Sequence, residues 1–141
     1  MRLPKDIAPT ILALALAATP SMADVVIVVS SKSTVTALSK GQVIDIFLAK
    51  SVRFPSGSPA VPIDQIEGAA ARNEFYMNFS GKSAAQIKAY WSKIIFTGRG
   101  QPPKAVSSGE EIKKLLAQNP SAIGYIDRSL VDDSVKILAQ P

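Results

Sequence analysis

The chain has 141 residues, the length of one ordinary domain. It contains no cysteine and no histidine, which excludes disulfide bonds, zinc fingers, Cys–His nucleophile pairs and catalytic triads with a histidine base. Apolar residues at 47% and charged residues at 19% are typical of a globular core, and 16 basic against 11 acidic residues give a net charge of +5.

The first 23 residues have the pattern of a secretory signal peptide. Arg2 and Lys5 supply a positive start, Ile11–Ala18 is an unbroken apolar run, and small residues follow at the end of the segment. The apolar run is much shorter than the roughly 20 residues that span a membrane, so we predict export and no membrane anchor. We therefore expect a signal peptide over residues 1–23, one domain over residues 24–141, and a periplasmic location.

The rest of the chain alternates between strand and helix patterns. The run Val25–Val29 is apolar without alternation, which predicts a strand buried on both faces. A polar loop, Ser30–Thr34, follows it. Ser39 and Gln42 then form a capping box that predicts the start of a helix.

The middle of the chain continues this alternation. Val61–Ile63 predicts a short strand, and Gly68–Phe79 predicts a second helix that ends at Gly81. Ser83 and Gln86 form a second capping box, which predicts the start of a third helix.

The third helix has a broad apolar face that extends to Ile95. The loop Thr97–Pro103 separates it from a fourth helix that begins at Ser108, and two strand patterns follow, Ala122–Ile126 and Val135–Leu138. We expect the last strand at an edge of the sheet. Because strands and helices alternate, we predict an α/β fold with a mixed, mostly parallel sheet flanked by helices on both faces.

Groups that could carry catalysis are scarce. Without histidine or cysteine, an enzyme would need paired carboxylates, a Ser–Lys pair or a metal held by carboxylates. Asp64 and Glu67 could form such a pair, but Glu67 is better explained as support for the positive end of the following helix. Asp132 and Asp133 offer too few oxygens for a hard cation. We predict no catalytic residue, no metal and no cofactor, and an envelope hydrolase is the weakest of the alternatives.

Two loops carry the polar groups that an oxyanion needs. Ser30–Thr34 follows a buried strand and presents hydroxyls and backbone N–H groups. Thr97–Gly100 combines two glycines with an arginine, which suits either an anion-binding turn or a tight turn without a ligand. It lacks the third glycine of a dinucleotide-binding fingerprint. The candidate ligand-binding residues in these loops are Ser31, Ser33, Thr34 and Arg99.

Nucleic acid is not expected as a partner. The basic residues are spread almost evenly along the sequence, and Lys113 and Lys114 are the adjacent pair. Tyr90 and Trp91 belong to the apolar face of their helix, so no basic stripe is interleaved with aromatic residues. Removal of the signal peptide lowers the net charge to +4, because two basic residues and one acidic residue leave with it.

Four phrases, in order, resemble the substrate-binding protein of phosphate ABC transporters: Leu38–Lys50, Glu67–Phe75, Trp91–Gly100 and Asn119–Tyr125. They are similar to a family pattern that includes an L-S-x-x-Q-L-x-x-I-F-x-G-K helix, an E-G-S-G-T-R-x-x-F junction and an N-P-G-A-I-G-Y strand. The resemblance implies the fold of one lobe of a type 2 periplasmic binding protein, and the chain is long enough for about one of the family's two lobes.

In that family, Ser/Thr hydroxyls, an arginine and helix N-termini bind the phosphate. Arg72 matches the family's arginine, whereas Ala69–Ala71 replaces its S-G-T and Gln65 stands where an upstream arginine is common. The resemblance implies weak binding of phosphate or a related oxyanion, with Arg72 as the charge, for ABC-type phosphate uptake. The alternative is a ligand-free periplasmic module that keeps the lobe fold and binds an envelope or transporter protein.

Overall fold

The computed structural model describes residues 24–141, so the predicted signal peptide lies outside the described residues. In chain order the elements are β1 (Val25–Ser30), α1 (Lys40–Phe47), β2 (Val61–Gln65), α2 (Ala70–Ser80), α3 (Ala84–Phe96), β3 (Lys104–Val106), α4 (Gly109–Gln118), β4 (Ala122–Asp127) and β5 (Val135–Ala139). A short 3-10 turn, Arg128–Leu130, follows β4. All the predicted helices and strands are present, and β3 is an additional strand.

The strands form one five-stranded sheet in the order β3-β2-β4-β1-β5. β2 pairs in parallel with β3 and β4, whereas β1 pairs in antiparallel fashion with β4 and β5. The predicted mixed α/β sheet is therefore confirmed, with parallel and antiparallel pairings in equal number rather than mostly parallel ones. β5 lies at an edge, as expected.

Helices cover both faces of the sheet. Residues Val25 and Ile27 of β1 point to the core beneath α1, α2 and α3, and Val26 and Val28 point to the core beneath α4. All four side chains are fully buried. The apolar run without alternation thus follows from a strand that faces a core on each side.

The helix ends confirm the capping patterns. Ser39 and Ser83 each open a helix through a complete capping box, and α2 ends at Gly81 in the left-handed conformation, with φ of 68°. Ile95 lies in the last turn of α3 and, contrary to the predicted apolar face, does not face the core, since it is 56% exposed. Within residues 24–141, no helix is both long enough and apolar enough to cross a membrane.

Candidate functional site

The strand pairings place the predicted ligand residues at two opposite ends of the sheet. Val25 of β1 lies opposite Asp127 of β4, so β1 begins where β4 finishes. β2 is parallel to β4 and finishes at the same end. Arg72 follows the end of β2, and we name this the Arg72 end. Ser31–Thr34 follows β1 where β2 and β4 begin, and we name this the Ser33 end.

Arg99 lies at the same end of the sheet as Ser33 but at the β3 edge, which makes it a third location. It lies in the loop before β3, and β2 and β4 separate that strand from β1. The Arg99 N–H donates to the Ile94 carbonyl at 3.1 Å, and Gly98 adopts a φ of 67°. The glycine-containing loop therefore terminates α3, and the Arg99 side chain is exposed. The structure thus distributes the five predicted ligand residues over three places rather than one site.

The start of α2 offers backbone donors without a side-chain cap. Gly68 has a φ of 88°, which favours glycine, and it turns the chain from β2 into the helix. Ala69 occupies the N-cap position in extended conformation and makes no side-chain cap. The first intrahelical bond runs from the Asn73 N–H to the Ala69 carbonyl at 3.2 Å. The N–H groups of residues 70–72 have no acceptor within the helix, as in any first turn.

Arg72 is held beneath this turn by contacts with the end of β2. Its Nη1 donates to the Gln65 carbonyl at 3.0 Å and lies 3.1 Å from Asp64 Oδ2. The guanidinium also lies 5.4 Å from the centre of the Tyr76 ring. The side chain is 12% exposed. Most of its positive charge is therefore compensated by the Asp64 carboxylate inside the protein.

Asp64 is the centre of a buried polar network. Its side chain is 1% exposed. The Tyr76 hydroxyl donates to Oδ2 at 2.5 Å, and the Tyr125 hydroxyl donates to Oδ1. The Gln65 N–H donates to Oδ1 at 2.8 Å, and the Gln65 side-chain amide donates to the Tyr125 carbonyl at 3.1 Å. Two tyrosines and Arg72 thus satisfy a carboxylate that would otherwise be costly to bury.

The network changes the acidity of both tyrosines. Burial, and then the neighbouring Asp64 carboxylate, raise the pKa of Tyr76 and of Tyr125 well above the ordinary value near 10. Both hydroxyls therefore remain protonated donors at any physiological pH. Phe75 stacks on the Tyr125 ring at 4.2 Å between ring centres, which fixes that hydroxyl over Asp64.

Sequence reasoning missed this network. It considered Asp64 only as a partner of Glu67, whereas its tyrosine partners lie 12 and 61 residues further along the chain. The local sequence signal is limited to an acidic residue at the end of a short apolar strand. A buried carboxylate requires partners, but the sequence does not say which.

A shallow pocket of about 180 Å³ lies beside the uncapped start of α2. Its lining residues are Glu67, Gly68, Arg72, Asn73, Ala84, Ala85 and Lys88. The first turn of α3 forms the facing wall, but its cap is already filled, because the Ser83 hydroxyl accepts from the Gln86 N–H at 3.2 Å. The pocket therefore combines one open helix N-terminus and two cations with one opposing carboxylate.

The hydroxyls at the Ser33 end mostly serve their own loop. Ser33 is buried, and its hydroxyl oxygen accepts from the Val35 N–H at 3.2 Å. The Ser33 carbonyl accepts from the Lys136 ammonium. Ser31 and Thr34 are exposed. Ser33 and Thr34 also line a pocket of about 130 Å³, which holds no buried charge.

The described residues contain no cluster of three or more acidic groups that could hold a metal ion. Asp64 already has Arg72 as its counter-ion. The chemistry available at the Arg72 end is therefore hydrogen bonding and electrostatic attraction, and no residue there is arranged as a nucleophile beside a base.

Comparison with known proteins gives a fold but no sequence family. No protein-family model matches the sequence, and no curated protein matches it. Among solved structures, the chain is similar to a protein from Clostridium perfringens with bound phosphate, assigned as a phosphate ABC transporter substrate-binding protein, with a TM-score of 0.65 and 23% identity. The match covers 82% of this chain and 44% of that one.

Two further structures give the same result. An ABC-type phosphate transport receptor from Vibrio cholerae has a TM-score of 0.64 at 21% identity, and the match covers 82% of this chain and 45% of that one. PstS from Borrelia burgdorferi has a TM-score of 0.59 at 13% identity, with 82% and 46% covered. The chain spans less than half the length of these structures, which is consistent with one lobe. The predicted resemblance in fold is confirmed.

Proposed function

We propose that the chain is a single-lobe, exported binding protein that holds phosphate or a related oxyanion weakly at the start of α2. Such a protein would serve ABC-type phosphate uptake in the periplasm. The fold supports this proposal, because the similar structures are described as phosphate-binding or phosphate-transport proteins rather than enzymes.

The observation that carries the proposal is the uncapped first turn of α2. Ala69 leaves the N–H groups of the turn without a side-chain acceptor, and these groups carry the positive end of the helix dipole. An oxyanion in the adjacent pocket would accept from them. Arg72 and Lys88 line the same pocket and add positive charge.

Three features make the binding weak. Arg72 already shares its charge with Asp64 at 3.1 Å. Ala69–Ala71 supplies no hydroxyl donor, and each such donor to an anion would add about 1.5 kcal/mol or more. The pocket is also open on one side, so water competes for every donor. We therefore expect dissociation constants on the order of 1 mM, which corresponds to about 4 kcal/mol.

Ser31, Ser33, Thr34 and Arg99 lie outside this pocket. An oxyanion at the start of α2 cannot reach them, because they follow or precede strands at the other end of the sheet. We therefore assign the ligand to the Arg72 end, and any anion contact made by these four residues would be a separate site.

The proposal is tested by the thermal stability of the protein in phosphate. Millimolar phosphate or arsenate should raise the melting temperature by a few degrees, in proportion to the logarithm of concentration above the dissociation constant. Ala69→Asp places a carboxylate at the N-cap, so this variant should gain stability without ligand and lose the phosphate response. Ala117→Asp adds the same charge on the exposed side of α4, and this control should keep the response.

Arg72→Ala is the second variant, and it is expected to remove the response while lowering stability, because Asp64 loses its cation. Ala69→Asp tests the proposal without this loss of stability, because it leaves the ion pair between Arg72 and Asp64 in place. If wild-type protein shows no shift with phosphate, sulfate or arsenate, the proposal is wrong. It is also wrong if Ala69→Asp and Ala117→Asp respond equally.

The second candidate function is a protein-interaction module that keeps the lobe fold without a ligand. The ion pair between Arg72 and the buried Asp64 favours it, because this pair is complete without any anion. This candidate predicts retention of one envelope protein on the immobilised chain and no effect of phosphate on stability. A phosphate response that Ala69→Asp removes would exclude it.

A further inference from the structure

A basic and apolar surface lies at the Ser33 end of the sheet, beside β3. Three elements contribute to it: the segment between α1 and β2, the last turn of α3, and the loop that leads into β3. We name this surface the Phe96 patch. Its apolar members are Val52, Ile95 and Phe96, and its basic members are Lys50, Arg53, Lys93, Arg99 and Lys104.

The apolar members project into solvent. Phe96 is 92% exposed, Val52 is 71% exposed and Ile95 is 56% exposed. Phe96 lies three residues after Lys93 in the last turn of α3, so the two side chains share one face of the helix. A phenylalanine so exposed forgoes about 2 kcal/mol of the burial free energy that it would have in a core position. Its exposure therefore does not contribute to the stability of the fold.

The three contributing segments are contiguous. A Cβ placed on Gly100 would lie 3.8 Å from the Ala49 side chain and 3.6 Å from the Ile94 side chain, so the loop after α3 packs on the end of α1. A shallow apolar depression of about 270 Å³ joins Val52 to the loop before β3, including Pro102 and Lys104. The segment after α1 and the loop before β3 thus adjoin each other, although up to 54 positions separate them in the sequence, from Lys50 to Lys104. Phe96 lies at the end of the helix from which this loop departs.

The patch is predominantly basic, with acidic groups at its rim, where Asp45 lines a pocket with Arg53 and Glu111 lines another with Lys104. Neither segment that forms it, residues 46–63 and residues 90–107, contains an acidic residue. All five cations are exposed, and among residues 24–141 none of them takes part in an ion pair, since the three pairs present involve other cations. The even spacing of basic residues along the sequence therefore conceals a cluster in space.

We propose that the Phe96 patch docks on an anionic lipid surface. Phe96 and Ile95 enter the boundary between headgroups and acyl chains, and the surrounding cations contact the lipid phosphates and other headgroup charges. A lipid surface fits better than a folded protein, because Phe96 and Ile95 protrude from the end of α3 outside the depression that Val52 lines, and a bilayer adapts to a protruding side chain. The Arg72 end faces away from this surface and stays open to solvent.

Sedimentation with vesicles tests the proposal in the full chain. Binding is expected to vesicles of phosphatidylcholine and phosphatidylglycerol in equal parts, and to fall sharply with phosphatidylcholine alone. Each of Lys93→Gln and Arg99→Gln should weaken binding about fivefold, and Phe96→Ser should weaken it about tenfold. Because residues 1–23 contain their own apolar run, the comparison is made between variants that share this segment.

Matched controls change the same residue types elsewhere. Met77→Ser removes a half-exposed apolar side chain from α2, and the double variant Lys40→Gln with Lys82→Gln removes two charges outside the patch. These variants should bind vesicles like the wild-type chain. Equal binding by all variants, or no binding to the anionic vesicles, overturns the proposal. A Phe96-dependent dimer in sedimentation velocity, without vesicle binding, would overturn it in favour of a protein partner.

Discussion

The two ends of the sheet use polar groups in opposite ways. At the Arg72 end, Asp64, Tyr76 and Tyr125 are buried and hydrogen-bonded to one another, and Arg72 completes the network. At the Ser33 end, the hydroxyl of Ser33 serves its own loop and the Lys136 ammonium donates to the Ser33 carbonyl, whereas the cations of the Phe96 patch face solvent. The first arrangement holds the fold together, whereas the second leaves charge available to a partner.

This difference also separates the two proposals. At the Arg72 end the Arg72 charge is already largely compensated by Asp64, so an anion there depends mainly on the backbone of the first turn of α2, with Lys88 as the other cation of the pocket. At the Ser33 end the backbone is engaged in turns, and binding depends on the exposed side chains of the Phe96 patch. The most informative variants are therefore those that remove a group at one end of the sheet and a matched group at the other.

The largest expected effect is at Asp64. In Asp64→Ala, Arg72 keeps its charge in a mostly buried position and two buried tyrosine hydroxyls lose their acceptor. Breaking a buried pair in this way costs about 3–5 kcal/mol, and we expect a loss of that size in the free energy of unfolding measured in urea.

The matched control lies at the Ser33 end. Asp132 pairs with Lys113 at 2.6 Å, and Lys113 together with Ser134 holds the pKa of Asp132 below its ordinary value. This pair is on the surface, so Asp132→Ala should cost far less than Asp64→Ala. Equal losses in the two variants would contradict the view that the Arg72 end holds the fold.

The next effect concerns the tyrosine hydroxyls. Tyr76→Phe and Tyr125→Phe each remove a hydrogen bond to a buried carboxylate, which we expect to cost about 1.5–3 kcal/mol. Because both donors share Asp64, the losses in the double variant should not add. Tyr90→Phe removes a bond to the Leu48 carbonyl, a neutral acceptor, and should cost about 1 kcal/mol. If the loss in the double variant equals the sum of the two single losses, the two hydroxyls act independently and the prediction is wrong.

Alkaline pH should weaken the Arg72 end selectively. The pKa values of Tyr76 and Tyr125 are raised in the folded state, by burial first and by Asp64 second. Stability is therefore fully present below pH 10, near the ordinary tyrosine value, and is lost as pH rises above it. Each tyrosine contributes a slope of up to about 1.4 kcal/mol per pH unit. The double Phe variant should show a flatter dependence in urea unfolding at alkaline pH, and an unchanged slope would contradict this origin.

Patterns of short range predicted most of the fold. The capping boxes at Ser39 and Ser83, the helix end at Gly81 and the unalternating run of β1 each depend on residues within a few positions of one another. β3 escaped prediction because three residues after a proline pair carry no periodicity. Whether each strand pair is parallel or antiparallel could not be predicted either, since pairing depends on contacts between segments that are distant in the sequence.

The candidate site was harder to predict for the same reason. Arg72 was identified through a resemblance, but its ion pair with Asp64 was not, since Tyr76 and Tyr125 complete that network from other elements. Ser31–Thr34 follows the end of β1 and Arg72 follows the end of β2, and these strand ends would meet at one edge if the two strands ran parallel. They lie at opposite ends of the sheet because β1 is antiparallel to β4, whereas β2 is parallel to it.

The smallest expected effect is at Ser33. Its hydroxyl accepts one hydrogen bond, from the Val35 N–H at 3.2 Å, so Ser33→Ala should lower the free energy of unfolding by about 1 kcal/mol. Thr34→Ala changes an exposed side chain and should stay within about 0.5 kcal/mol of wild type. Neither variant should alter the response of the melting temperature to phosphate, because both residues lie at the end of the sheet opposite α2. If either variant removes that response while Ala69→Asp keeps it, the oxyanion binds at the Ser33 end, and the division of roles between the two ends must be reversed.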